Sequence, residues 1–198
     1  MNTDNKQLIK EIKYFQLYLG KAIAQIYINE KLCDFHDNHN QSFNLYACSF
    51  GEISSALLLS QRIIFCDIFI EDRDSKNIHK LLNKLISNKI VNNAEIDLQI
   101  KNIANGLKNE IEIQAVNISK LKEYRNNVMA HFSTKFFDDE WRINFPIQNA
   151  CNFLDIANLA TKTFDRLAEI IILLKDEPLD KGILVPFDIS YAILKLLK

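Results

Sequence analysis

The sequence predicts an all-α domain, and three observations carry that expectation. Glycine and proline are scarce, four and three in 198 residues, and the first proline is Pro146. Little therefore breaks a helix over the first two thirds of the chain. Apolar residues recur every three or four positions, the helical period, and residues suited to helix capping stand ahead of several of these stripes.

The first helix is expected from about Asp4 to Lys31, where Leu8, Ile12, Phe15, Leu19, Ala22 and Ile26 share one face. A polar loop is expected over residues 34–44, rich in Asp, Asn and His. Ser49 and Glu52 have capping-box spacing ahead of a second helix, with Ile53, Leu57, Ile64 and Ile68, running to about Glu71. Asp74 or Ser75 is placed to cap a third helix with Ile78, Leu81, Leu82 and Leu85. Asn93 is placed to cap a fourth with Ile96, Ile100, Ile103 and Leu107. Ser119 is placed to cap a helix whose stripe is Leu121, Tyr124, Val128 and Phe132. A final long helix is expected from Ile147 to Lys175, with Ala150, Phe153, Leu154, Ala157, Phe164, Leu167, Ala168 and Ile171 inward. Pro178 ends it; residues 182–187 read as extended, and residues 189–198 as a short last helix.

The length suits one domain over 1–198, large enough to bury a core without disulfides or a structural metal. With 24 basic and 25 acidic side chains the net charge is −1, so the chain as a whole does not attract nucleic acid or anionic membranes, and any RNA contact must be local. Apolar runs such as residues 63–70 and 170–174 are too short to span a bilayer. Scattered cysteines (Cys33, Cys48, Cys66, Cys151) and a polar N-terminus lead to the expectation of reduced thiols and a cytoplasmic location.

The chemistry is concentrated in residues 123–132, EYRNNVMAHF. Arginine stays charged at neutral pH and holds a phosphate by a forked hydrogen bond; histidine moves protons near pH 7. On an ideal helix Arg125 lies about 40° to one side of Leu121 and His131 about 80° to the other, some 9 Å apart along the axis. One helix does not bring both to one phosphate. Two copies related by a two-fold axis would, with Arg125 of one protomer near His131 of the other. Asn126 and Asn127 are poor helix formers beside a charged group, and Asn127, one turn before His131, is placed to orient its ring.

Residues 125–131, RNNVMAH, resemble the Arg-polar-spacer-His motif of the HEPN superfamily, the higher eukaryote and prokaryote nucleotide-binding domains. Residues 67–82, DIFIEDRDSKNIHKLL, resemble the region ahead of that motif in its AbiU-type abortive-infection branch. The resemblance extends over about residues 53–174. It implies a helical bundle that homodimerises through the motif helices, and a metal-independent endoribonuclease of the abortive-infection or toxin type, acting in antiviral defence. It also implies that His131 handles the proton of the ribose 2′-hydroxyl or of the leaving oxygen, that Arg125 holds the phosphate, and that Asn126 positions one or the other. Lys122 and Asn127 would contact the RNA, with no cofactor. An antitoxin or regulatory protein is the expected further partner. Ser133 stands where the AbiU-type motif often has Asp, and where the branch controlled by nucleotidyltransferase antitoxins has the modified Tyr. The alternative is a catalytically inactive HEPN module that binds RNA or a partner protein; a helical scaffold without a nucleic-acid role is a third.

Two further clusters offer metal-ligand chemistry. Cys33, His36 and His39 crowd into seven residues, without a fourth ligand or typical zinc spacing, and read as a polar loop. Asp67, Glu71, Asp72 and Asp74 read as a solvated helix end followed by a cap, with a possible supporting role for the motif helix across the bundle. Lys120, Lys122, Arg125, Lys135 and Arg142 make a locally basic region, and Trp141, Phe136 and Phe137 read as a clamp for a loop on the core.

Overall fold

The computed structural model describes residues 3–38, 47–71, 76–126 and 151–175, and the regular elements among them are all helices. These are α1 (Thr3–Asn38), α2 (Ala47–Phe69), α3 (Ile78–Ser87), α4 (Ala94–Ile113), α5 (Ala115–Tyr124) and α6 (Phe153–Lys175). The all-α class is as the sequence predicts.

Helix α1 is the spine. Its apolar stripe, from Leu8 through Ile12, Phe15 and Leu19 to Ala22, is buried between α2 on one side and α6 on the other. Helix α4 packs on α6 and on α3, so the bundle closes around Phe65, Phe69, Leu82, Leu85, Ile100, Leu107, Leu167 and Ile170. Each such side chain, taken out of water, contributes about 1.5–3 kcal/mol before chain entropy is set against it. The core draws on α1 as fully as on later helices, so the packed unit is not confined to residues 53–174.

The helix ends follow local chemistry. Asn93 caps α4, its side-chain oxygen accepting from the backbone N–H groups of Glu95 (3.0 Å) and Ile96 (3.3 Å), as the sequence predicts. Asn77 caps α3, accepting from the Lys80 N–H at 3.1 Å. That helix was expected to start from Asp74 or Ser75, which lie outside the described residues; the later cap wins because Asn77 sits directly before the apolar stripe. His79 Nε2 hydrogen bonds to the Phe69 carbonyl at 2.9 Å, satisfying an orphan acceptor at the end of α2. Asp97, buried in the first turn of α4, accepts from the Ile90 N–H at 2.7 Å and the Val91 N–H at 3.3 Å, and pairs with Lys101 at 2.8 Å. One side chain thereby ties the α3–α4 connection to the start of α4.

Several boundaries differ from expectation. Helix α1 continues to Asn38, through the first part of the expected 34–44 loop; a polar stretch without Gly or Pro does not of itself break a helix. Helix α2 begins at Ala47, so Ser49 lies within it and is not its cap. Ser119 lies inside α5, which follows α4 after a single break at Gln114. Ile113 and Val116, flanking that break, point to solvent. Helix α6 starts at Phe153, behind Asn152, and Leu154 is exposed although the stripe placed it inward. The predicted Ile147–Ala150 turn, the tail over 182–198, Lys135, Phe136, Phe137, Trp141 and Arg142 lie outside the described residues.

Candidate functional site

The C-terminal end of α5, where the motif begins, is held by a guanidinium that comes from α2. Arg62 Nη1 donates to the Tyr124 hydroxyl at 2.6 Å. The same guanidinium carbon lies 4.9 Å from the centre of the Tyr124 ring and 4.4 Å from that of Phe153, while the two rings meet edge to face at 6.3 Å. Arg62 thus joins α2, α5 and the first residue of α6 through cation–π contacts and one charge-assisted hydrogen bond.

A polar network fixes the opposite side of the α5–α6 contact. Asn117 Nδ2 donates to Gln114 Oε1 at 2.7 Å and to Asp155 Oδ2 at 3.3 Å. The Asn152 backbone N–H donates to Asn117 Oδ1, also at 3.3 Å, and Asn152 Nδ2 donates to Asp155 at 2.8 Å. Beneath these contacts Leu121 is fully buried. Its carbonyl receives the Arg125 N–H and a long Cys66 S–H contact at 3.9 Å.

Arg125 continues the helical winding past Tyr124, with φ −55° and ψ −49°. Successive residues on an α-helix do not face each other, yet here Arg125 Nε donates to Asn126 Oδ1 at 3.2 Å. Arg125 is half-buried, and its charge reaches α2. The Asp67 carboxyl is pushed up from its usual range by loss of hydration, and the Arg125 guanidinium works against that shift. The Cys66 thiol is pushed up to about 12, chiefly by burial, with Arg125 again opposing. The Arg125 charge therefore acts on the last turns of α2, at Cys66 and Asp67.

Of the sequence-predicted site residues, Arg125 and Asn126 are brought into contact, and Lys122 is exposed on the outer side of α5. His131 and Asn127 lie outside the described residues. Of the possible metal ligands, Asp67 and Glu71 are exposed, while the side chains of Cys33 and His36 and all of His39, Asp72 and Asp74 lie outside the described residues. Among the described residues no group of three or more His, Cys, Asp or Glu side chains is placed to hold a metal ion. No described helix is long and apolar enough to cross a membrane.

Sequence reasoning missed Arg62. The signal was present: it is the lone charged residue between Ile53 and Cys66, directly ahead of the apolar run Ile63 to Phe65. A solitary arginine there needs a partner, and Tyr124 with Phe153 supplies one.

Of the stripe expected to make a two-fold contact, Leu121 is buried within the monomer, Tyr124 is half-buried, and Val128 and Phe132 lie outside the described residues. Among the described residues α2 carries an exposed apolar row, where Ile53, Ala56, Leu59 and Ile63 follow one face toward Asp67.

No family model, no curated protein and no solved structure matches the chain.

Proposed function

We propose that this protein is a metal-independent endoribonuclease of the HEPN type, acting in the cytoplasm in abortive infection or as a toxin, with a composite site formed by two copies. The reading is carried by one observation: Arg125 donates to Asn126 at the end of the motif helix α5, six residues ahead of His131 in the sequence. In this reading Arg125 holds the scissile phosphate and stabilises its developing charge, with Asn126 positioning the guanidinium. His131 accepts the proton of the ribose 2′-hydroxyl, or returns one to the leaving 5′-oxygen. The nucleophile belongs to the substrate, so no cation is required to make hydroxide. Lys122 and Asn127 contact neighbouring RNA. The exposed α2 row, ending beside Asp67, is the surface a second copy would cover.

The test is incubation of total RNA with the protein in excess EDTA, followed by end-group analysis. Products should carry 2′,3′-cyclic phosphate and 5′-hydroxyl ends, and RNA methylated at the 2′ position should resist. Activity lost on chelation, restored by Mg²⁺ or Mn²⁺ and yielding 5′-phosphate ends, would overturn the mechanism.

The same α2 row favours a second reading, a catalytically inactive HEPN module that binds RNA or a partner protein such as an antitoxin. Purified wild-type protein that degrades no cellular RNA, yet binds a partner through Leu59 and Ile63, would select it.

A further inference from the structure

A groove between α1 and α3 is lined by Lys10, Lys76, Lys80 and Lys84, with Glu11 as its acidic member and the ring of Tyr14 on its wall. The whole chain carries a net charge of −1, so four lysines against one carboxylate among the described lining residues is a local concentration of positive charge. Lys80 and Lys84 stand one turn apart on α3, about 6 Å along its axis. That step is comparable with the spacing of successive phosphates on an extended strand. Lys76, just ahead of the Asn77 cap, lies over the Tyr14 ring, 5.9 Å from its centre. Tyr14 packs on Phe15 and Tyr18 yet stays 42% exposed. A held but partly exposed ring can stack on a base, and cations beside it hold the backbone.

From these placements we propose that the α1–α3 groove binds single-stranded RNA, its phosphates on Lys10, Lys76, Lys80 and Lys84 and one base on Tyr14. The inference deepens the ribonuclease reading and rests on it for the choice of RNA. In the unbound protein Lys84 is paired to both carboxylate oxygens of Glu11, at 3.1 and 2.9 Å. A phosphate entering the groove competes with Glu11 for Lys84.

The experiment is fluorescence anisotropy with a labelled 2′-O-methyl oligouridylate of twelve nucleotides, which binds without being cleaved, over a series of salt concentrations. The combined K10Q/K76Q/K80Q variant should bind at least about tenfold more weakly, with the salt slope reduced by about 2, since each phosphate contact on a single strand contributes about 0.7. Tyr14→Ala should lose about fivefold or more, with Tyr14→Phe close to wild type. Glu11→Gln should bind more tightly, because it frees Lys84; loss of folding cannot mimic a gain. Unchanged affinity and salt slope in the triple lysine variant would overturn the proposal, as would equal binding of blunt duplex RNA or equal displacement by polyglutamate. Cleavage of unmodified RNA is scored separately. If the oligonucleotide binds through the lysines but wild type cleaves nothing, the groove stands and the ribonuclease reading fails. If cleavage occurs and the lysine variants bind and cleave as wild type, the groove fails and the ribonuclease reading stands.

Discussion

Arg62 on α2 donates a 2.6 Å hydrogen bond to the hydroxyl of Tyr124, the last residue of α5, although 62 positions separate them in the chain. This contact ties α2 to the C-terminal end of the motif helix, next to Arg125. Arg62→Ala removes the hydrogen bond and the two ring contacts, and should lower stability by about 1–3 kcal/mol in urea unfolding. Tyr124→Phe keeps the ring stacking and should cost only about 0.5–1.5 kcal/mol. Equal losses from both would show that stacking contributes nothing.

Arg125→Ala and His131→Ala should each abolish RNA cleavage while thermal unfolding stays within a few degrees of wild type, as for substitutions at a solvent edge. A large loss of stability from both would assign the pair to packing and remove the chemical reading.

Asp67 separates stability from activity. Loss of hydration raises its folded pKa above the unfolded value, so the ionised carboxylate is disfavoured in the native state. The unfolded chain loses this proton first, and the native state is therefore weakened as pH rises from the unfolded pKa through the folded one. Asp67→Asn removes that penalty and should leave unfolding at pH 7 unchanged or slightly improved, within about 0.5 kcal/mol. Cleavage should nevertheless fall, because Arg125 loses a negative charge with which it interacts. Full activity in Asp67→Asn would show that Arg125 is held without it.

Asp97 has the opposite sign. Its bond to Lys101, then the backbone N–H groups of Ile90 and Val91, hold the carboxyl below its usual range. Its contribution is complete above the unfolded pKa, about 4, and is lost as pH falls through the lower folded value. Asp97→Ala strands two partly buried N–H groups and should cost about 1–3 kcal/mol at pH 7. The gap between wild type and Asp97→Asn in urea midpoint should narrow as the pH is lowered below about 4. A gap independent of pH would rule out the ionic contribution.

Cys66 should be chemically silent in the native protein. With its thiol pushed up to about 12 by burial, only about one molecule in ten thousand is thiolate at pH 8. Iodoacetamide should label Cys66 only after unfolding, as read by peptide mass spectrometry. Rapid labelling of native protein at this position would place the thiol in a wetter site than the α2–α5 contact provides.

The helical class, most of the stripes and the Asn93 cap were legible in the sequence, because they depend on neighbours three or four residues away and on the near absence of Gly and Pro. Arg125 and Asn126 were legible for the same reason, as polar residues that a helix interior does not otherwise favour. Periodicity marks a face without naming what covers it. Hence the sequence did not determine that Leu121 faces inward while Leu154, on a similar stripe, faces water. It also did not determine that Arg62 would clamp Tyr124 and Phe153, that the Arg125 charge would act on Asp67, or that lysines from α1, from α3 and from just ahead of α3 would line one groove. Those relations join residues tens of positions apart, and only the packing of α1 against α2, α3 and α6 decides which charges meet.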